Sequence, residues 1–283
     1  IRPLLCLIAA ELCGGEREKA EPAAVAVEML HNFTLLHDDI MDCSPLRRGK
    51  PTVFRKYDQN KAILSGDAMF ACAFKYLLQC DKEVIPQLTE TLTRGAIEVC
   101  EGQGFDMDFE NRQTVSTDEY LQMIKLKTGV LLSTALQLGA ITAKADEKTL
   151  NLLDTFGKYI GIAFQIKDDM LDCWSDLDTF GKVCGADIID RKKTFLYITA
   201  LESATQTQRQ ELLSLYENTT LDKDEKIQKV RAIYEQLSVA QKAQKAVEEY
   251  NSKAFEALEQ IEVAPQRKAT LIEVAKKLIN RNK

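Results

Sequence analysis

An all-α fold is what this sequence predicts, and three features predict it. Apolar residues recur at helical spacing along most of the chain, as in EPAAVAVEMLHNFTLLHDD, DEYLQMIKLKTGVLLSTALQLGAI and KTLNLLDTFGKYIGIAFQIKDDMLD. Alternation of apolar and polar residues, the mark of strands, is scarce. The prolines are Pro3, Pro22, Pro45, Pro51, Pro86 and Pro265, so Gln87 to Ala264 contains none of the residue that most strongly breaks helices.

Taken in order, the opening IRPLLCLIAAEL is too short to span a membrane and lacks signal-peptide flanks. Breaks are expected at Gly14–Gly15 and at CSPLRRGKPT, residues 43–52, where glycine and proline cluster. Gly66–Leu78 and Lys148–Phe164 are apolar on more than one face, which implies burial in a large bundle, with some surplus left for a partner subunit. WSDLDTFGKVCGADIIDRKK, residues 174–193, reads as an ordered loop. Beyond about Ser203 the helices turn charged and amphipathic, an outer solvated layer more than a second domain. One domain over residues 1–283 is expected.

Composition narrows the function classes. Hydrophobic residues are 45% and charged residues 28%, a globular balance, and the net charge of −6 argues against nucleic acid as a partner. A polyanionic ligand would need metal or a local basic cluster. No apolar run reaches membrane-spanning length, so a cytoplasmic protein is expected. The eight cysteines form no CxxC pair and only two histidines accompany them, which disfavours zinc; residues such as Cys72 and Cys100 read as small buried hydrophobes.

Two copies of one acidic pattern carry the chemistry: DDIMD at Asp38–Asp42 and DDMLD at Asp168–Asp172. One DDxxD arises by chance in roughly a tenth of chains this rich in Asp, two in about one of several hundred. On a helix the first and last Asp of each motif share a face, their Cβ atoms roughly 6 Å apart, and such like charges destabilise the helix unless a cation sits between them. Mg²⁺ suits the position, because it takes a few carboxylates and completes its shell with water and phosphate oxygens. Asp39 and Asp169 point about 100° off that face, toward a supporting role. Two such helices facing each other make a diphosphate site. Arg47 and Arg48 follow within LRRGKPT; arginine forks suit phosphate, and adjacent side chains diverge, so each could serve a different diphosphate.

HDDIMDCSPLRRGKPT, KTG at 127–129, and FQIKDDMLD followed by GKVCGADIIDRKKT resemble the trans-isoprenyl diphosphate synthase (polyprenyl synthetase) family, over the chain from residue 1 to the last helix. The resemblance implies an all-α homodimer of the isoprenoid synthase type, each bundle surrounding a central cavity for an allylic diphosphate, isopentenyl diphosphate and Mg²⁺, three ions per site. By that resemblance Asp38, Asp42 and Asp168 are the principal Mg²⁺ ligands, supported by Asp39, Asp169 and Asp172. Arg47, Lys127, Lys182 and Lys192 hold the allylic diphosphate, and Thr128 and Gln165 lie near the reacting carbons. Arg2, His31 and Arg48 belong to the isopentenyl diphosphate site. His31 also stands seven residues before Asp38, almost on its face of the helix and two turns away.

Two departures stand out. The family opening GGKRxRP survives only as Arg2–Pro3, which implies further residues before Ile1, and a family glycine before the late lysine is Arg191. The implied reaction is head-to-tail condensation: the allylic diphosphate ionises, the isopentenyl alkene attacks the cation, and a proton is lost. Six motif carboxylates and a departing diphosphate total about −9, which three Mg²⁺ and three basic side chains return at about +9. The second DDxxD with its following lysines argues against a terpene cyclase, and two intact acidic motifs argue against a non-catalytic regulatory subunit. Bulk at Phe33 and Thr34, five and four residues before Asp38, makes them the expected floor of the hydrocarbon channel and favours farnesyl or geranylgeranyl products.

Overall fold

The computed structural model describes residues 1–174 and 185–279; Lys182, Cys184 and residues 175–184 of the expected loop lie outside them. α1 spans Arg2–Leu12 and α2 spans Arg17–Met41; a two-stranded hairpin follows, β1 at Leu46–Arg47 and β2 at Lys50–Pro51. Next come α3 (Val53–Lys56), α4 (Gln59–Leu77), α5 (Ile85–Asn111) and α6 (Thr117–Ile124). A π-helical segment, Lys125–Gly129, leads directly into α7 (Val130–Thr142), which α8 (Glu147–Trp174) follows. The remaining described helices are α9 (Ala186–Ile189), α10 (Phe195–Ser203), α11 (Gln206–Glu217), α12 (Lys223–Gln236), α13 (Val239–Glu259) and α14 (Pro265–Ile279).

α7 is the axis of the bundle. Every residue from Val130 to Thr142 is buried, enclosed by α1, α2, α5 and α8. Close approach depends on small residues: a Cβ at Gly139 would run into the Cys6 carbonyl oxygen, so glycine lets α1 lie on α7. The amphipathic α13 lies along α8 as an outer layer, and one apolar core runs from Leu5 to Ile279. No helix among the described residues is long and apolar enough to cross a membrane.

The structure revises four expectations. Residues 43–52 are more than a break: Leu46 pairs with Pro51 and Arg47 with Lys50, while Arg48 and Gly49 take φ values of 53° and 74°. Two successive positive φ values give the tight turn whose twist matches a hairpin. In the 174–193 stretch, Trp174 ends α8 and Ala186–Ile189 closes a helical turn. α4 is not wrapped on all sides: it buries Ala62, Gly66, Ala73 and Leu77, but leaves Leu64 67% exposed. Finally, Cys72 is half-buried and Cys100 exposed, because they lie on the outer helices α4 and α5; Cys6, Cys80 and Cys173 are buried as expected.

Candidate active site

The last turns of α2 and α8 carry the two acidic motifs. Asp38 and Asp39 lie in α2 and Asp42 caps it, its N–H donating to the Asp38 carbonyl at 2.9 Å. The backbone thus stays helical through the motif and keeps Asp38 and Asp42 on one face. Asp168, Asp169 and Asp172 all lie within α8. Asp172 Oδ2 accepts from the Asp187 N–H at 3.1 Å, and the Asp172 carbonyl accepts from the Gly185 N–H at 2.7 Å.

The middle aspartates turn toward protein. Arg47 forks across the first motif, donating from Nε to Asp39 Oδ1 at 2.7 Å and from Nη2 to Asp38 Oδ2 at 3.0 Å. Asp169, expected as a supporting metal ligand, is 3% exposed and has both oxygens engaged by protein donors. Oδ2 accepts from Tyr120 Oη at 2.6 Å and from the Phe195 N–H at 3.2 Å, and Oδ1 accepts from Gln165 Nε2 at 3.2 Å.

Crowding raises the acids. Burial pushes Asp42 above the usual carboxylate range, with Asp38 adding to it, and pushes Asp39 up against the pull of Arg47. Burial takes Asp169 up to about 8 and Asp187 up to about 7, the latter with Asp172 and Asp168 beside it. A cation placed among these groups would relieve both the desolvation and the mutual repulsion. Lys127 supplies part of that charge, its Nζ 2.6 Å from Asp106 and 3.3 Å from Asp38. Burial lowers Lys127 and Lys192, but the surrounding carboxylates outweigh it and hold both above the ordinary lysine value. Lys192 Nζ lies 4.0 Å from Asp187.

The KTG stretch is the π-helical segment, an irregularity that often marks functional sites. Backbone contact fixes it on two sides. A Cβ at Gly161 would collide with Gly129, and one at Gly102 would collide with the Lys127 backbone nitrogen. α8 therefore touches the segment directly, and one turn beyond Gly161 the Gln165 Oε1 accepts from Thr128 Oγ1 at 3.1 Å.

Arg2, His31 and Arg48 come together as expected. Arg2 and His31 line one cavity, and the hairpin turn brings the Arg48 charge close to both. Burial pushes His31 down to about 3, with Arg2 and Arg48 adding, so the ring is neutral between two cations. Burial likewise lowers Arg2 to about 10, against the opposing charge of Glu28.

Between these groups lies a cavity of about 210 Å³. Its lining combines the polar Arg2, His31, Asp38 and Lys127 with the apolar Phe33, Val99 and Leu131. A second cavity of about 110 Å³ is lined by Gln165, Asp169, Asp187 and Lys192, and Lys127 and Thr128 face both. The Phe33 ring lies 4.8 Å from that of His37 and 5.1 Å from that of Phe70, and it separates the first cavity from an outer groove beside Phe70, Ala96 and Ile97. The neighbouring Thr34 also lines the first cavity, and its hydroxyl donates back to the His31 carbonyl at 2.8 Å.

Arg2 Nε and Gln103 Nε2 line the first cavity as buried polar atoms without hydrogen bonds, and Glu28 Oε2 on α2 is another; Asp38 Oδ1 also lacks a hydrogen bond, its neighbour being the Lys127 ammonium at 3.3 Å. Buried groups in native proteins normally find partners, so a cluster of orphans marks where a ligand's atoms belong. Among the described residues no three His, Cys, Asp or Glu side chains converge closely enough to hold an ion alone. An all-carboxylate donor set with an orphaned Asp38 oxygen still fits Mg²⁺, which is held by one or two carboxylates and completed by phosphate and water.

Asp106, Tyr120, Gln103, Asp187 and Glu28 are site residues that sequence reasoning missed. Asp106 had a faint signal, one helical turn after a glycine in EGQGFD, where a helix that closely approaches a neighbour presents a charge. Tyr120 had none.

Known proteins share this architecture. Residues 1–237 match the polyprenyl synthetase family. The chain is 41% identical over 208 residues to the geranylgeranyl diphosphate synthase of Methanosarcina mazei, covering 73% of this chain and 64% of that enzyme. It superimposes on a crystal structure of a geranylgeranyl pyrophosphate synthase with a TM-score of 0.95 at 44% identity, covering 100% of this chain and 87% of the other. A polyprenyl synthase from Caulobacter crescentus, complexed with calcium and isoprenyl diphosphate, gives a TM-score of 0.87 at 29% identity, covering 100% of this chain and 84% of the other.

Proposed function

The chain belongs to the polyprenyl synthetase family, and from that premise we propose that residues 1–283 act as one Mg²⁺-dependent synthase unit. It joins isopentenyl diphosphate head-to-tail to an allylic diphosphate, giving a short-chain trans-prenyl diphosphate and pyrophosphate. The observation that carries this reading is the 210 Å³ cavity, whose lining joins charged side chains and two buried polar atoms without hydrogen bonds, Arg2 Nε and Gln103 Nε2, to apolar side chains. An amphipathic substrate with a diphosphate head suits such a lining.

Asp38, Asp42 and Asp168 are the proposed Mg²⁺ ligands, with Asp172 in support. When bound there, Mg²⁺ neutralises the charge that develops on the departing diphosphate. Lys127, Lys192 and Lys182 bind that diphosphate, and Arg47 turns its fork onto it from Asp38 and Asp39. Arg2, His31 and Arg48 hold isopentenyl diphosphate, the neutral imidazole donating a hydrogen bond from between two guanidinium groups. The allylic C–O bond breaks with its electron pair leaving on pyrophosphate; the isopentenyl alkene attacks the allylic cation; the new cation then loses a proton to the released pyrophosphate, forming the new double bond. Thr128 Oγ1 and Gln165 Oε1 face the cation as weak acceptors, and the surrounding bundle keeps water away from it.

Farnesyl and geranylgeranyl diphosphate are the proposed products, with Phe33 as the proposed floor of the cavity it lines. A homodimer is proposed as well, because α4 and α5 leave Leu64 67% and Ile97 55% exposed; a monomeric mass by light scattering would remove that part. The metal assignment is tested by Asp38→Ala and Asp168→Ala, each expected to cut turnover by ~10²–10³ or more at saturating Mg²⁺ while leaving helicity unchanged. Near-normal turnover in either variant contradicts the assignment.

A further inference from the structure

Four hydrogen bonds link side chains that the acidic motifs alone do not connect. Tyr120 Oη donates to Asp169 Oδ2 at 2.6 Å, and the Phe195 N–H donates to the same oxygen at 3.2 Å. Gln165 Nε2 donates to Asp169 Oδ1 at 3.2 Å, and Thr128 Oγ1 donates to Gln165 Oε1 at 3.1 Å. We propose that Tyr120 and Asp169 are a positioning pair: they fix the Gln165 amide with its oxygen toward Thr128 and the reacting carbons, and Asp169 serves this purpose in place of metal binding.

A side-chain amide has a donor end and an acceptor end of nearly the same shape, so its orientation is decided by what it meets. The ionised Asp169 carboxylate can only accept, as it does from Tyr120, the Phe195 N–H and Gln165, and in that form it selects the amide nitrogen of Gln165. The amide oxygen is left for the other side, where it takes the Thr128 proton. Thr128 Oγ1 then has only lone pairs free for the cavity. Two oxygens without a free proton suit an electron-poor allylic carbon, whereas a flipped amide would point N–H groups at it.

The lock is built from three elements that do not adjoin in sequence. Tyr120 comes from α6, Gln165 and Asp169 from α8, and Phe195 from the start of α10. Tyr120 is 4% and Asp169 3% exposed, so neither depends on solvent for its partner. Asp169 faces Tyr120 and Phe195, whereas the Asp172 of the same motif meets the backbone of Asp187. One aspartate of the second motif thus orients an amide.

This inference rests on the chain-elongation reading above, and its test separates the two. Wild-type protein is assayed first; failure to elongate any primer overturns the reading and the lock with it. Given elongation, Tyr120→Phe removes one oxygen and little volume. It is expected to lower kcat about tenfold, with KM for both substrates within about twofold and the Mg²⁺ half-saturation unchanged. The fraction of primer lost to water as allylic alcohol should rise with Tm unchanged, whereas a loosened fold would raise it together with a lowered Tm. Asp169→Asn turns one acceptor into a donor facing Gln165 and should lower kcat further, again at unchanged Mg²⁺ half-saturation.

A binding measurement complements the kinetics. The rise in Tm caused by Mg²⁺ with pyrophosphate should match wild type in both variants. Wild-type kcat and alcohol fraction in Tyr120→Phe overturn the lock. So does Asp169→Asn activity that recovers at high Mg²⁺, or an Asp169→Asn protein that loses the metal-induced rise in Tm, since either makes Asp169 a metal ligand. Should Asp169→Asn fail to fold, Tyr120→Phe decides alone.

Discussion

At the scale of single residues, two adjacent arginines face two different charge environments. Arg47 ends β1 and forks across Asp38 and Asp39, while Arg48 sits in the turn and its charge reaches Arg2 and His31. The hairpin produces the divergence, because a positive φ of 53° at Arg48 turns the chain between the two side chains. Arg47→Ala should therefore impair the allylic substrate, and Arg48→Ala should mainly raise KM for isopentenyl diphosphate. Steady-state kinetics in which both variants impair one substrate equally would remove this division. Phe33 makes a second case at this scale. Its ring lines the cavity and packs against Phe70 at 5.1 Å, so Phe33→Ala should open roughly one helical turn, ~5.4 Å, of added depth. Chromatography of dephosphorylated products should show longer chains and less change in primer consumption, with a cost in stability below the ~3–5 kcal/mol of a fully buried ring, since Phe33 is half-buried. An unchanged length profile in the folded variant would make Phe33 ordinary core.

At the scale of elements, glycines decide where helices touch. Gly161 lets α8 rest on the π-helical segment, and this contact sets Gln165 opposite Thr128. Gly161→Ala must push the two backbones apart, at a cost of ~1–3 kcal/mol by overpacking. It should also lower kcat, because the Thr128–Gln165 hydrogen bond stretches. Denaturant unfolding and turnover measured together check this; full stability with full turnover would show that the contact yields freely. Arg191 is the opposite case, a non-glycine at φ 58°. Left-handed backbone of this kind is costly away from glycine, and here it brings the chain round to Lys192, whose N–H donates to the Asp187 carbonyl at 2.8 Å. The helices themselves were legible in the sequence, because periodicity is local. The hairpin was not, because strands of two residues carry no alternation, and the exposure of α4 was not, because an apolar face does not state what covers it.

At the scale of the whole molecule, the proposed reaction asks a chain of net charge −6 to bind two anionic substrates. Its charges are divided: Arg2, His31 and Asp38 line one cavity, Asp169 and Asp187 a second, and Lys127 lines both. The acidic motifs and both arginines could be read from sequence, since consecutive charges at helical spacing point to one face. Asp106, Tyr120 and Asp187 could not, since each acts through a partner distant in sequence, as Tyr120 does through Asp169. The central claim is that this divided cavity joins an allylic diphosphate to isopentenyl diphosphate with the help of Mg²⁺. It is tested by incubating the protein with radiolabelled isopentenyl diphosphate and an allylic primer, with Mg²⁺ and with chelator, and chromatographing the dephosphorylated products. Linear prenols of fifteen or twenty carbons that form only with Mg²⁺ are expected; cyclised hydrocarbon, or label that stays in isopentenyl diphosphate, would contradict it.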